Sequence, residues 1–248
     1  AYSNGAHIPN GAGYPARWAA EAARFRDGLR AEAGIFWPEG VPAGLMVFVH
    51  GGYWMQFGPE DFTHLARGAL KRGWAVLMPD YPLAPAARIS QITAAVGAQI
   101  TAAAAVVDGP IALCGHSAGG HLAARMVCED GPLPDAVAAR VSVCVPVSGI
   151  FDLRPLMFTE MNDVLHLDPV EAMAESPALS VPLSGVRLTA WVGATERSEF
   201  IRQSELIANI WRGLGAATAC VIEPDRHHFN VIEGLTHPHH PLTDLLLS

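Results

Sequence analysis

The sequence predicts an α/β protein with a mostly parallel central sheet and helices on both faces, three layers in all. Three observations predict it. Short runs that are apolar on both faces, such as residues 45–49, suit interior strands of a parallel sheet. From about residue 45 onward these runs alternate with longer segments of helical period, the pattern of βαβ units with right-handed crossovers. The two are separated by glycine- and proline-containing turns, at residues 40–44 and 108–110 for example.

Taken in order, residues 15–33 place Trp18, Ala22, Phe25 and Leu29 on one helical face, so a first helix is expected there. Strands are expected at 45–49, 75–78, 111–114, 141–147, 187–192 and 218–222. Helices are expected at 62–72, from Ser90 to about 107, at 118–128 and at 199–214. Residues 148–185 show no clean period, and an irregular stretch of that length in an α/β chain tends to shape a binding site. No repeat, low-complexity tract or linker divides the 248 residues, so one domain is expected.

Composition excludes several classes. Half the residues are hydrophobic and 16% are charged, which excludes intrinsic disorder. The net charge is −8, only one of the 16 basic residues (Lys71) is a lysine, and no basic run could neutralise a row of phosphates; a nucleic-acid partner is not expected. The most apolar long stretch, 92–107, is interrupted by Gln99 and carries Ile92, Val96, Ile100 and Val107 on one face. It reads as a buried helix, since a membrane span needs about 20 apolar residues. The first residues show no charged region followed by an apolar core, so no secretory leader is expected. Four dispersed cysteines without a CxxC pair suit a reducing compartment, and the cytoplasm is the expected location. Pairing with a second copy of the chain is left open.

The strongest chemical signal is Gly115-His116-Ser117-Ala118-Gly119, between an expected strand and an expected helix. A serine on such a sharp turn has its hydroxyl lifted clear of the sheet, and the flanking glycines are needed where a Cβ would meet backbone. A second signal, His50-Gly51-Gly52-Tyr53-Trp54, directly follows the strand at 45–49. Attack on a carbonyl needs preorganised donors for the oxyanion; the backbone N–H groups of Gly51, Gly52 and Ala118 are the candidates. A serine also needs a base and a carboxylate that orients it. His228, rather than its neighbour His227, is favoured as the base, in the loop after the last strand. Glu196 is favoured as the acid, at the carboxyl end of the strand 187–192; Glu199 is better placed to open the next helix, where it complements the dipole. The order 117, 196, 228 fits the serine, acid, histidine order of this arrangement.

With these motifs quoted, the chain resembles the α/β-hydrolase superfamily, in the hormone-sensitive-lipase-like branch that includes kynurenine formamidase and related small esterases. Asp80-Tyr81-Pro82-Leu83-Ala84-Pro85 is similar to that branch's segment, with Pro82 in place of its arginine, and residues 148–156, 196–204 and 228–229 also match. The resemblance implies hydrolysis of an N-formyl anilide or of a small aryl or alkyl ester, with no cofactor. Two departures stand out: the acid is glutamate where many hydrolases have aspartate, and the hairpin before His50 is short. A non-catalytic binding module on the same fold is the other class of reading, disfavoured because all three triad types are present.

Tyr53, Trp54, Phe57, Phe151, Met157 and Phe158 are candidates for an aromatic substrate pocket. Arg154 reads equally as a surface residue or as a partner for a substrate carboxylate. His237-Pro238-His239-His240 reads as an exposed tail, so no metal is expected, and His64 and His121 read as satisfied structural histidines.

Overall fold

The run Leu45–Val49 forms strand β3, and it shows why such runs are apolar throughout: Leu45, Val47 and Val49 pack into a cluster on one face of the sheet, Met46 and Phe48 into a cluster on the other. The computed structural model describes every residue except Ala1, Gly28 and Ala33. Its sheet has eight strands: β1 (Ala31–Glu32), β2 (Ile35–Phe36), β3, β4 (Ala75–Leu77), β5 (Ile111–His116), β6 (Val141–Val147), β7 (Arg187–Gly193) and β8 (Ala217–Glu223). They lie in the order β1-β2-β4-β3-β5-β6-β7-β8. All pairings from β4 through β8 are parallel; only the short β1–β2 hairpin and its contact with β4 are antiparallel.

The expected strands agree with these to within two residues at either end. The first helix does not. It runs over Tyr14–Arg26, and the chain then turns into the hairpin, so the front of the sheet is present in abbreviated form rather than consumed by a longer helix. The expected helix also crossed Gly28 and Ala33, which lie outside the described residues. The segment expected as helix at 62–72 starts with a 3-10 turn, Thr63–Ala66, before Arg67–Lys71. Helices Ile89–Ala104, Ala118–Arg125 and Ser198–Gly213 carry the longer crossovers.

Residues 148–185 fold into short helical turns, among them Pro169–Ala174, whose N-cap Asp168 accepts from the amides of Val170 and Glu171 at 2.9 Å. Glu171 of that helix takes the Arg88 guanidinium and the Ser90 hydroxyl, tying the segment to the start of Ile89–Ala104. The histidine-rich stretch is not a tail. His240 caps a last helix, Pro241–Leu246, through its Nδ1, and Leu242 and Leu246 are buried against the sheet. No described helix is long and apolar enough to cross a membrane.

Candidate active site

Every candidate polar residue lies just beyond the carboxyl end of a parallel strand, where open α/β sheets bind their ligands. Strand β3 delivers His50, Gly51 and Gly52, β5 delivers Ser117, β7 leads to Glu196, and β8 leads to His228.

Ser117 is held at φ 55° and ψ −116°, a sparsely populated conformation for a residue with a side chain. The glycines around it are forced by proximity. A Cβ on Gly115 would strike the carbonyl of Gly119, and one on Gly119 would strike the carbonyls of Val49 and His50. The elbow is therefore wedged between β5, its own helix and the loop after β3. Ala118, as the first residue of its helix, has no intrahelical acceptor for its N–H.

His228 is buried, and its Nδ1 donates to Glu196 Oε2 at 2.6 Å. The Glu196 side chain is fully excluded from solvent. Its other oxygen, Oε1, accepts from the Ser148 hydroxyl at 2.5 Å and from the Gly193 amide at 2.8 Å. Glu199 is engaged elsewhere, with the Tyr2 hydroxyl, Arg202 and Gln203. His227 likewise faces away: its Nδ1 accepts from the amides of Phe229 and Asn230, which leaves Nε2 to donate to Tyr14 Oη at 3.2 Å. Among the described residues the Ser117 hydroxyl has no hydrogen-bond partner, and it borders the same cavity as the His228 ring.

Two residues that sequence reasoning gave no role complete the polar side. Ser148 directly follows β6 with φ 51°, fully buried, its amide bonded to the Trp191 carbonyl at 2.7 Å. Its position at a strand's carboxyl end was the available signal. His116, next to the nucleophile candidate, donates from Nε2 to the His228 carbonyl at 2.8 Å. Burial, reinforced by the neighbouring His228 ring, pushes its proton affinity well below the ordinary histidine range, so it acts as a neutral clamp on the loop that carries His228.

The loop after β3 is clamped as firmly. His50 Nδ1 donates to the Gly51 carbonyl at 2.7 Å, and burial keeps the ring neutral by lowering its pKa. Tyr81, from the Asp80–Pro85 segment, stacks on the imidazole with centroids 4.2 Å apart and donates to the His50 carbonyl at 2.8 Å. Tyr53 and Trp54 follow with φ 58° and 60°.

The cavity beside Ser117 has a volume of about 220 Å³. Of the expected aromatic wall, Tyr53 and Phe57 border it. Trp54, Phe151 and Phe158 do not, and those assignments are corrected. Trp54 turns into the core, where its Nε1 donates to His121 Nδ1 at 3.3 Å. Phe151 is fully buried in the same core, and Phe158 is 86% exposed. Met157 packs against the core rather than the cavity. The wall is instead completed by Trp18, Phe62 and Phe229, with Trp18 5.2 Å from Phe62 and 5.3 Å from Phe229. Gly5, Gly11, Ala12 and Pro15 of the N-terminal segment close it. Arg154 pairs with Asp152 at 2.9 Å and borders no part of it.

His121 is satisfied, donating from Nε2 to the Glu175 carbonyl at 2.7 Å. His64 departs from expectation, because its buried Nδ1 has no partner among the described residues. Among the described residues no group of three or more His, Cys, Asp or Glu side chains could hold a metal ion.

The family model for the alpha/beta hydrolase family matches residues 46–246. The chain belongs to the alpha/beta hydrolase family. It is 30% identical over 213 residues to the kynurenine formamidase of Danio rerio, spanning 82% of this chain and 72% of that protein. The Salmo salar kynurenine formamidase is 30% identical over 217 residues, with the same coverage. Among solved structures, a provisionally named thioesterase from Silicibacter sp. TM1040 superposes with TM-score 0.94 at 45% identity, covering 100% of this chain and 97% of that one. An esterase from Pyrobaculum calidifontis shares the fold, at TM-score 0.71 and 17% identity over 94% of this chain and 90% of that one. The chain is accordingly a hydrolase, acting on a small-molecule substrate.

Proposed function

We propose that the protein is a serine hydrolase that cleaves a small amide or ester through an acyl-enzyme, with an arylformamidase-type N-formyl anilide as the leading substrate class. The observation that carries this reading is that Ser117, His228 and the Gly51–Gly52 backbone border one cavity, with His228 already bonded to a buried Glu196.

Ser117 attacks the carbonyl while His228 Nε2 takes the hydroxyl proton and then gives it to the departing amine or alcohol. Water repeats the sequence on the acyl-enzyme. Glu196 fixes the tautomer that leaves Nε2 free and stabilises the imidazolium that forms; Ser148 and the Gly193 amide fix Glu196 in turn. The N–H groups of Gly51, Gly52 and Ala118 take the oxyanion, held in place by the His50–Tyr81 clamp. No cofactor is needed for this sequence. The free thiols suit a reducing compartment, and we place the enzyme in the cytoplasm.

The test compares kcat/KM for N-formylkynurenine, p-nitrophenyl acetate and p-nitrophenyl butyrate. A formamidase favours the first by orders of magnitude. A preference for the esters selects the second reading, a short-acyl esterase or thioesterase, which the similarity to the Silicibacter protein favours. Absence of turnover together with failure of Ser117 to label with a fluorophosphonate sinks both.

A further inference from the structure

A single hydrogen bond fixes one atom of a ring and leaves the tilt of its plane loosely set, because hydrogen bonds tolerate a broad range of angles. Glu196 holds the His228 ring by Nδ1 alone. Where Nε2 points, and so how well it takes a proton from Ser117, is then decided by what packs against the imidazole. Two rings do so at short range. His116, at the end of β5, has its centroid 4.6 Å from that of His228, with the planes tilted by 43°. Phe200, from the first turn of the helix Ser198–Gly213, is closer, at 4.3 Å and the same tilt. Phe229 is farther away, at 5.9 Å.

Phe200 reaches His228 through the turn that also places the carboxylate. Strand β7 ends at Gly193, and the Glu196 amide donates back to the Gly193 carbonyl at 3.2 Å. Arg197 then caps the helix in an extended conformation, and the Phe200 amide donates to the Arg197 carbonyl at 3.0 Å. Residues 196–200 therefore supply both the carboxylate bonded to the imidazole and a ring packed against it. The Phe200 ring is itself held. It is 1% exposed, and Tyr2 meets it edge-on, with centroids 6.3 Å apart and planes at 84°. Tyr2 in turn donates from Oη to Glu199 Oε1 at 2.8 Å, on the same helical turn. Phe200 does not line the cavity beside Ser117, so its contact with His228 is separate from any contact with substrate.

We propose that Phe200 is a positioning residue for the base: it fixes the plane of the His228 imidazole, so that Nε2 stays aimed at Ser117 while Nδ1 stays on Glu196. The proposal rests on His228 being the base of the hydrolytic reaction. Phe200 takes no part in the proton transfers at Nε2 and acts only through the tilt of the ring.

The test is Phe200→Leu, which keeps an apolar side chain and removes the ring; Phe200→Met, closer in volume, replaces it if the leucine variant does not fold. The expected result is a fall in kcat on p-nitrophenyl acetate of about 10–100-fold, the cost of a misplaced catalytic group, with KM within a few-fold. Fluorophosphonate labelling of Ser117 should slow by a similar factor, because it uses the same base. Ile207→Ala, which removes buried bulk two turns further along the same helix, serves as the control for packing damage. It is expected to lower the melting temperature and leave kcat near the parent's. In protein with ¹⁵N-labelled histidine, the proton that His228 Nδ1 shares with Glu196 gives a far-downfield resonance, identified by its absence in Glu196→Gln. That resonance should broaden in Phe200→Leu and keep its width in Ile207→Ala.

A folded Phe200→Leu or Phe200→Met with kcat near the parent's overturns the proposal. So does an equal loss of kcat in Ile207→Ala, which makes the effect one of core packing, or a rate loss with the resonance unchanged. A raised KM with an unchanged labelling rate also overturns it, by assigning Phe200 to substrate binding. In each case the parent still labels at Ser117 and still loses turnover on His228→Ala, so the hydrolase reading survives. A parent that neither labels nor turns over any ester or anilide removes both.

Discussion

The two walls of the cavity are built on opposite principles. On the wall that carries Ser117 and His228, the polar groups behind them are bonded to one another: His228 to Glu196, Glu196 to Ser148 and Gly193, and the His228 carbonyl to His116. Directional bonds fix those side chains to within tenths of an ångström, the tolerance that proton transfer demands. The facing wall, of Trp18, Phe57, Phe62 and Phe229, is held by ring packing at 5.2–6.2 Å. Ring packing fills space without selecting one angle. Substitutions on the first wall should therefore move kcat, and those on the second should move KM.

The largest separation comes from Ser117→Ala, which is expected to remove turnover by a factor on the order of 10⁴–10⁶ and abolish fluorophosphonate labelling, with substrate binding by calorimetry retained. Retained labelling would place the nucleophile elsewhere. Next, Glu196→Gln keeps the size of the side chain but not the charge that orients His228, and a loss of about 10⁴ in kcat with KM within a few-fold is expected. If Glu199→Gln instead produced that loss, the carboxylate would be misassigned. From the facing wall, Trp18→Ala is expected to raise KM for aryl substrates by about 10–100-fold at nearly constant kcat, since a packed ring contributes a few kcal/mol at most. A kcat effect of the same size would show that the two walls are not separable.

The two walls were also unequally legible in the sequence. The elbow could be read because close approach dictates residue identity there: with carbonyls of Val49, His50 and Gly119 where side chains would go, only glycine fits at 119 and 115. Glu196 and His228 were expected on different grounds, their places after the strands 187–192 and 218–222 and the chain order serine, acid, histidine, and the structure bonds the two to each other. The aromatic wall could not be read, because an aromatic residue looks the same whether it faces a cavity or the core. Trp54 lies one residue from Tyr53 yet points the other way, and the choice is made by His121, 67 positions later. Trp18 was recognisable as the inward face of its helix, but its partners Phe62 and Phe229 come from distant segments. Ser148 heads the 148–156 segment that matches the resembled branch, but that match gave the serine no role; its place directly after β6 is what marks it.

Ser148→Ala sharpens the comparison on the polar side at a smaller scale. It removes one of two donors to Glu196 Oε1 and leaves Gly193. A loss of about tenfold in kcat is expected. The loss should fall on kcat with KM within a few-fold, because Ser148 acts through Glu196 and His228 rather than on the substrate. A role confined to stability would lower the melting temperature and leave kcat at low temperature where it is.

The smallest effect tests whether fixed neutral histidines extend beneath the loop after β3. His121 holds Trp54 by accepting at Nδ1 and donating at Nε2, an arrangement only the neutral ring can make. Burial lowers its pKa to about 3, and that of His64 to about 4. A histidine depressed in the native state binds its proton first in the unfolded chain. The stability it contributes is therefore fully present above the unfolded value near 6.5, and is lost as pH falls from there toward about 3. Replacing His121 by Asn removes that titration but leaves His64 in place. The variant is expected to be less stable than the parent at pH 7, and its stability should fall less steeply between pH 6 and pH 4. The difference in slope is up to about one proton, or roughly 1.4 kcal/mol per pH unit. Urea melts across that range measure it directly. Parallel slopes for the two proteins would mean that His121 is protonated in the folded state, and that Trp54 is held by its packing alone.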